Sequence, residues 1–201
     1  MVNEKVKVKD KHAKKKKVSK WILIIFGILV VLAAAYFLGF FSRASINQIT
    51  IEHPMKAIII ANTNEAGGVN GQAVLERGID EFNEDYIIYL LVSLGANNLH
   101  KSYVGYGNAE VDIVMDNEIW GAIISDGLSV SRQRTGDPDL RISMSREEAV
   151  RALLSSDVQQ YMKESVNNGN TRLEQISNKV ELASKGYLAM YSSITGEVIA
   201  E

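Results

Sequence analysis

The sequence predicts a single α/β (α+β) domain, a mostly antiparallel sheet covered by helices, preceded by one transmembrane helix. Three observations lead there. Val111, Ile113 and Met115 fall at every second position, and Leu140, Ile142 and Met144 alternate with Asp139, Arg141 and Ser143, the period of half-buried strands. Apolar stripes at helical spacing follow Ser145 and Asp157, both good helix caps. Residues 21–41 form an uninterrupted run of apolar and small residues without charge.

The charge distribution organises the N-terminal part. The 201 residues hold 22 Lys+Arg against 24 Asp+Glu, a near balance that hides an asymmetry. Residues 1–20 carry nine lysines against Glu4 and Asp10, a net +7, and the remainder has thirteen basic against twenty-two acidic residues, a net −9. At ~1.5 Å per residue, a helix from Trp21 to Phe41 spans about 30 Å, the thickness of a bilayer's hydrocarbon layer. Trp21 at one end and Tyr36, Phe40 and Phe41 towards the other suit the membrane interfaces. A buried core helix and a cleaved signal peptide are the competing readings; the run is long for a signal, and Ser42-Arg43-Ala44 is a weak cleavage site. The lysines place the N-terminus in the cytoplasm and the remainder on the far side. The basic arm then serves topology and attraction to anionic lipid, and no nucleic-acid partner is expected. The expected divisions are a cytoplasmic tail (1–20), a single-pass anchor (21–41), a connector (42–55) and an extracytoplasmic globular domain (56–201).

Taken in order, Lys56 to Ala61 reads as a buried strand, and Asn62 to Gly71 as a Gly/Asn loop. Gln72 to Asn83 reads as a helix with Val74, Leu75, Ile79 and Phe82 apolar. Glu84 to Leu94 reads as a buried helix, ended by Gly95-Ala96-Asn97-Asn98. Ser102 to Ser131 reads as antiparallel sheet, with turns at Asp116-Asn117 and Asp126-Gly127. Gln133 to Pro138 is loop, and Asp139 to Met144 is a strand. Ser145 and Glu148 have the spacing of a capping box, opening a helix that carries Val150, Leu153 and Leu154. Asp157 opens another with Val158, Tyr161, Met162 and Val166 on one face, stopped at Asn167-Asn168-Gly169. Thr171 to Ser177 is a strand, and Val180 to Tyr191 a last amphipathic helix.

Little in the chain points to covalent chemistry. There is no cysteine, which excludes disulfides, thiolate metal sites and a cysteine nucleophile. His12, His53 and His100 have no metal-ligand spacing, and no metal or cofactor is expected. The Gly67 to Gly71 loop sits between the expected strand and the helix that follows it, where a phosphate could meet backbone N–H groups, but it lacks the Lys-Ser/Thr ending of a P-loop. Asp112, Asp116 and Glu118 would suggest an enzyme only if they faced one cleft. The apolar residues of the last helices are the remaining candidates. Leu153, Leu154, Tyr161, Met162, Val166, Leu182, Tyr187 and Met190 suit an adaptable apolar pocket, and they equally suit an ordinary core.

The stretch from Asp139 to Met190 resembles the C-terminal half of the sterol carrier protein domain, a small lipid-binding and lipid-transfer family. The resemblance rests on the acid-opened strand Asp139-Leu140-Arg141-Ile142-Ser143-Met144-Ser145 and the helix Glu148 to Leu154. It continues through the Gly169 to Ile176 strand and the helix start carried by Asn178, Ala183 and Lys185. The segment Ser125 to Pro138 is longer than the family's usual connection. The resemblance implies a sterol-carrier-like fold and a lipid or acyl-chain ligand. The expected function is a membrane-anchored, non-catalytic binding module for an apolar ligand. The alternative is a membrane-tethered structural or assembly protein whose exported domain binds another protein.

Overall fold

The computed structural model describes residues 51–196. The basic tail and the expected membrane span at 21–41 lie outside the described residues. Among the described residues no helix is long and apolar enough to cross a membrane.

The described chain opens with a short helix, α1 (Lys56–Ala61), where the isoleucine run suggests a strand. The difference has a local cause. Pro54 and the carbonyl of His53 start a turn, with Lys56 N–H donating to that carbonyl at 3.0 Å. Asn62 Nδ2 and Thr63 Oγ1 then donate back to the carbonyls of Ile58 and Ile59, closing the helix after six residues. Helical spacing puts Met55 and Ile58 into the core and leaves Ile60 outside.

Helices α2 (Gly71–Asp80) and α3 (Glu84–Ser93) follow, capped by the side chains of Asn70 and Asn83. Beyond a 3₁₀ turn (Ala96–Asn98) come the strands β1 (Ala109–Met115), β2 (Glu118–Ile124) and β3 (Leu128–Ser131), then β4 (Leu140–Met144). Helices α4 (Arg146–Leu154) and α5 (Val158–Asn167) precede β5 (Arg172–Gln175). Both predicted N-caps form, Ser145 making its half of the capping box: Ser145 Oγ accepts from Glu148 N–H, and Asp157 Oδ1 accepts from Gln160 N–H.

The single helix expected over Val180 to Tyr191 is two, α6 (Lys179–Ser184) and α7 (Tyr187–Thr195). Gly186 breaks it with a φ of +87°, a region glycine enters freely. A Cβ there would stand 2.2 Å from the Asn98 carbonyl oxygen. The break also leaves the Lys185 carbonyl free to accept from His100 N–H at 3.0 Å.

The sheet order is β3-β2-β1-β4-β5. Three pairings are antiparallel, as expected, and β1 with β4 is parallel. Alternation divides the strands cleanly. Val111, Ile113, Met115, Trp120, Ala122, Ile124, Leu140 and Ile142 face the helices and are buried. Glu110, Val114, Ile123, Ser129, Arg141 and Glu174 lie on the other face and stay at least partly accessible.

The parallel pairing requires the chain to pass from the β3 edge over β2 and β1 to reach β4. Residues 132–138 make that crossing on the face away from the helices. Asp112, at 0% exposure, holds the crossing segment: its Oδ1 accepts from Thr135 N–H at 3.0 Å and from Thr135 Oγ1 at 3.1 Å. Glu110 Oε2 accepts from Asp137 N–H nearer the end. Gly121 leaves the space, because a Cβ there would be 2.3 Å from the Gln133 carbonyl oxygen and 2.9 Å from Thr135 N. Gly121→Ala should therefore lower stability by about 2 kcal/mol, as overpacking typically does. Urea denaturation measures it, and a midpoint equal to the parent's would show that the segment yields without strain.

Candidate functional site

The eight apolar candidates take three kinds of position. Leu153 on α4, Met162 on α5, Leu182 on α6 and Tyr187 and Met190 on α7 are exposed by 1% or less. Tyr161 and Val166 are partly buried against the same cluster. Leu154 is 37% exposed, on the outer side of α4. All but Leu154 belong to one continuous core that also takes in the helix-facing side of the sheet.

Two surface recesses lie elsewhere. One, of about 530 Å³, is lined by Ile51, His53, Pro54, Ala57, Ile60 and Asp85, among others. The second, of about 280 Å³, lies between the start of α3 and the Trp120-Arg132 pair. The Arg132 guanidinium sits 4.7 Å from the Trp120 ring centroid, a cation–π contact. Neither recess is lined by any of the eight candidates.

Next to the apolar layer is a buried polar group of residues that the hydrophobic pattern does not disclose. Asp139, just before β4, is fully buried. Its Oδ1 accepts from Lys185 Nζ at 2.6 Å and from Ser177 Oγ at 2.8 Å. Its Oδ2 accepts from Glu110 N–H at 2.8 Å and from Tyr187 Oη at 3.0 Å. Lys185 Nζ also donates to Glu181 Oε1 at 2.9 Å. Burial works against the charge on Lys185, but Asp139 and Glu181 outweigh it and raise the lysine's pKa. Burial, then the neighbouring Asp139 charge, pushes the Tyr187 phenol well above its ordinary value. Beyond its place in the family resemblance, Lys185 has a local signal of burial: it caps the end of α6, three residues after Leu182 and four after Glu181.

The acidic residues considered for catalysis do not converge on one cleft. Asp112 holds Thr135 and lies 3.5 Å from Arg134 Nε and 3.6 Å from Arg141. Asp116 accepts from Arg146 N–H, and Glu118 pairs with the Arg146 guanidinium at 3.0 Å, both at the β1–β2 turn. Among the described residues no group of His, Asp and Glu is arranged to hold a metal ion. His53 Nε2 is 2.8 Å from the Leu153 carbonyl oxygen, and His100 stacks on Tyr103. The Gly67 to Gly71 loop uses its own groups: Gly68 N–H donates to Asn64 Oδ1 and Gly67 N–H to the Asn64 carbonyl.

No family model and no curated protein matches this sequence. Among solved structures, it is similar to a double mutant of the sec-alkyl sulfatase PisA1, at 10% identity and a TM-score of 0.33. That similarity covers 58% of this chain and 17% of the sulfatase, so this chain spans about a sixth of its length. It is also similar to UbiJ-SCP2, a ubiquinone synthesis protein, at 11% identity and a TM-score of 0.31, over 62% of this chain and 98% of the other.

Two outcomes follow for the Asp139 group. Lys185→Met leaves the Asp139 carboxylate buried without its cation and should cost about 3–5 kcal/mol. Adding Asp139→Asn in the same chain should restore part of that loss, and a double-mutant cycle measures the coupling. Strictly additive losses would mean the pair does not interact. The second outcome concerns pH. Lys185 and Tyr187 bind their protons more tightly folded than at their ordinary values of 10.5 and 10.0. Their stabilisation is complete below those values and is lost as pH rises beyond them, so unfolding midpoints should fall above about pH 10. Tyr187→Phe should flatten the fall.

Proposed function

We propose that the chain is a membrane-tethered, non-catalytic binding module, anchored through residues 21–41, whose domain takes an apolar ligand of lipid or acyl-chain type. The observation that carries this reading is the composition of the layer between sheet and helices. All five methionines between residues 51 and 196, Met55, Met115, Met144, Met162 and Met190, are buried in one cluster. Methionine is unbranched and polarisable and repacks around irregular shapes more readily than leucine or isoleucine. Met162 on α5 and Met190 on α7 belong to packed neighbouring helices with Leu182 beside them. Parting α5 and α7 exposes those three side chains to an acyl chain. Each ligand methylene buried there contributes about 0.8 kcal/mol, which offsets the packing lost between the helices.

The sterol-carrier resemblance supports the same reading. Two of the residues that carry it, Asp139 and Lys185, meet in the buried pair, and Asn178 caps α6 by accepting from Glu181 N–H. The tether holds the domain beside a lipid source and raises the ligand's effective concentration.

A second reading is a tethered assembly domain that binds another protein. It is favoured by the near-complete burial of five of the eight candidates, which describes a filled core. Lipid uptake separates the two. A fluorescent fatty acid titrated into detergent-free protein should bind saturably, with a Kd on the order of 1 μM. Met162→Leu with Met190→Leu keeps the volume, so the fold should lose less than about 1.5 kcal/mol while the stiffer layer weakens uptake. Absence of saturable uptake by the parent protein would leave the assembly reading.

A further inference from the structure

The segment between the 3₁₀ turn and β1 differs in chemistry from the rest of the domain. Residues 51–196 hold twelve Lys+Arg against twenty Asp+Glu, a net −8, yet no acidic residue occurs from Tyr86 to Ala109. Within that stretch, Tyr103, Val104 and Tyr106 are 70%, 66% and 42% exposed. They account for three of the nine large apolar side chains that the described domain exposes, all within four consecutive residues.

The tip is built rather than slack. Ser102 N–H donates to the Gly107 carbonyl at 2.8 Å, and Val104 N–H donates to Ser102 Oγ at 3.3 Å. Gly105 and Gly107 take φ values of +96° and +83°, which let the chain reverse on either side of Tyr106. The base of the tip is tied to α6, with Ser102 Oγ 3.0 Å from Ser184 Oγ. On α6, Val180 is 67% exposed and Lys179 is exposed beside it. Lys101 is exposed at the tip's own base. The acid on α6, Glu181, is turned inward to Lys185, and its side chain is only 14% exposed.

We propose that this tip is a second contact with the bilayer, an inference that rests on the anchor reading. Tyr103, Val104 and Tyr106 seat at the boundary between headgroups and acyl chains, and Lys101 and Lys179 face the lipid phosphates. Nine residues separate Phe41 from Ile51, a reach of at most about 35 Å. A domain of this size has a radius of gyration of about 15 Å, so the tether lets almost any face meet the membrane and surface chemistry selects which one does. Headgroup phosphates repel the acidic residues of a net-negative domain and admit a tip whose stretch from Tyr86 to Ala109 has no acid and carries Lys101 at its base. Tyrosine, with an apolar ring and a polar hydroxyl, suits that depth.

The chain has no cysteine, so a single introduced one is a unique label site. The full chain carrying Tyr106→Cys with a nitroxide would be reconstituted singly in nanodiscs of phosphatidylcholine and phosphatidylglycerol. Ser129→Cys, on the exposed face of β3, is the reference, and Val104→Cys is the second tip site. The ratio of oxygen to nickel-chelate accessibility should be at least about threefold higher at 106 and 104 than at 129, as for side chains seated in the interface. Equal ratios at all three sites, in a chain that resists carbonate extraction, would overturn the tip contact while leaving the anchor standing. A chain that carbonate releases would defeat the anchor and the tip contact together. Spin–spin broadening at 106 only when two chains share a disc would assign the tip to a second copy instead.

Discussion

The carboxylate of Asp139 is the constraint around which the C-terminal half is arranged. A buried carboxylate is tolerated only when donors replace the water it has lost, because its uncompensated desolvation costs several kcal/mol. Asp139 receives four donors: the backbone of Glu110, the hydroxyls of Ser177 and Tyr187, and the ammonium of Lys185. They come from β1, from the exit of β5, from α7 and from the end of α6. The backbone of the same residue extends the tie, donating to the Glu110 carbonyl and accepting from Ile176 and Ser177. One side chain thus sets where two strands and two helices meet. It also accounts for the break at Gly186, which sets α6 and α7 apart with Lys185 and Tyr187 on either side of the bend.

The opposite face of the sheet shows the same physics with a different outcome. Asp112 is also fully buried, but it spends its hydrogen bonds on the crossing segment at Thr135 and draws Arg134 and Arg141 near. Gly121 leaves the space for the segment, and Asp112 and Glu110 hold it at Thr135 and Asp137. The resulting crossover makes β1 and β4 parallel neighbours and gives the helices one uninterrupted apolar face to cover. The buried methionines belong to the core between that face and the short helices.

How much of this could be read in advance depends on the range of the interactions. The caps at Ser145 and Asp157 and the alternation in β1, β2 and β4 are local, and they are legible. Lys56 to Ala61 is not, because its β-branched run has strand propensity but no strand to pair with, and Pro54 and Asn62 decide its ends. The parallel pairing of β1 with β4 joins residues about thirty apart and leaves no local trace beyond Gly121 and the polar crossing segment. Lys185 enters only through the family resemblance, because a charge inside an apolar stripe reads as a surface residue until its partner, 46 positions earlier, is known. Helical spacing places all eight candidate site residues on apolar stripes; Leu153, Met162, Leu182, Tyr187 and Met190 are buried, Tyr161 and Val166 are partly buried, and Leu154 faces outward. The spacing could not say whether the layer they form opens.

That question is tested most directly by native mass spectrometry of the fragment 46–201, purified without detergent. The account predicts a fraction of the protein carrying an added discrete mass that organic extraction releases as a lipid or fatty acid. Bare protein alone, unchanged after incubation with a fatty acid, would contradict it and leave the domain as a filled core presented to a protein partner.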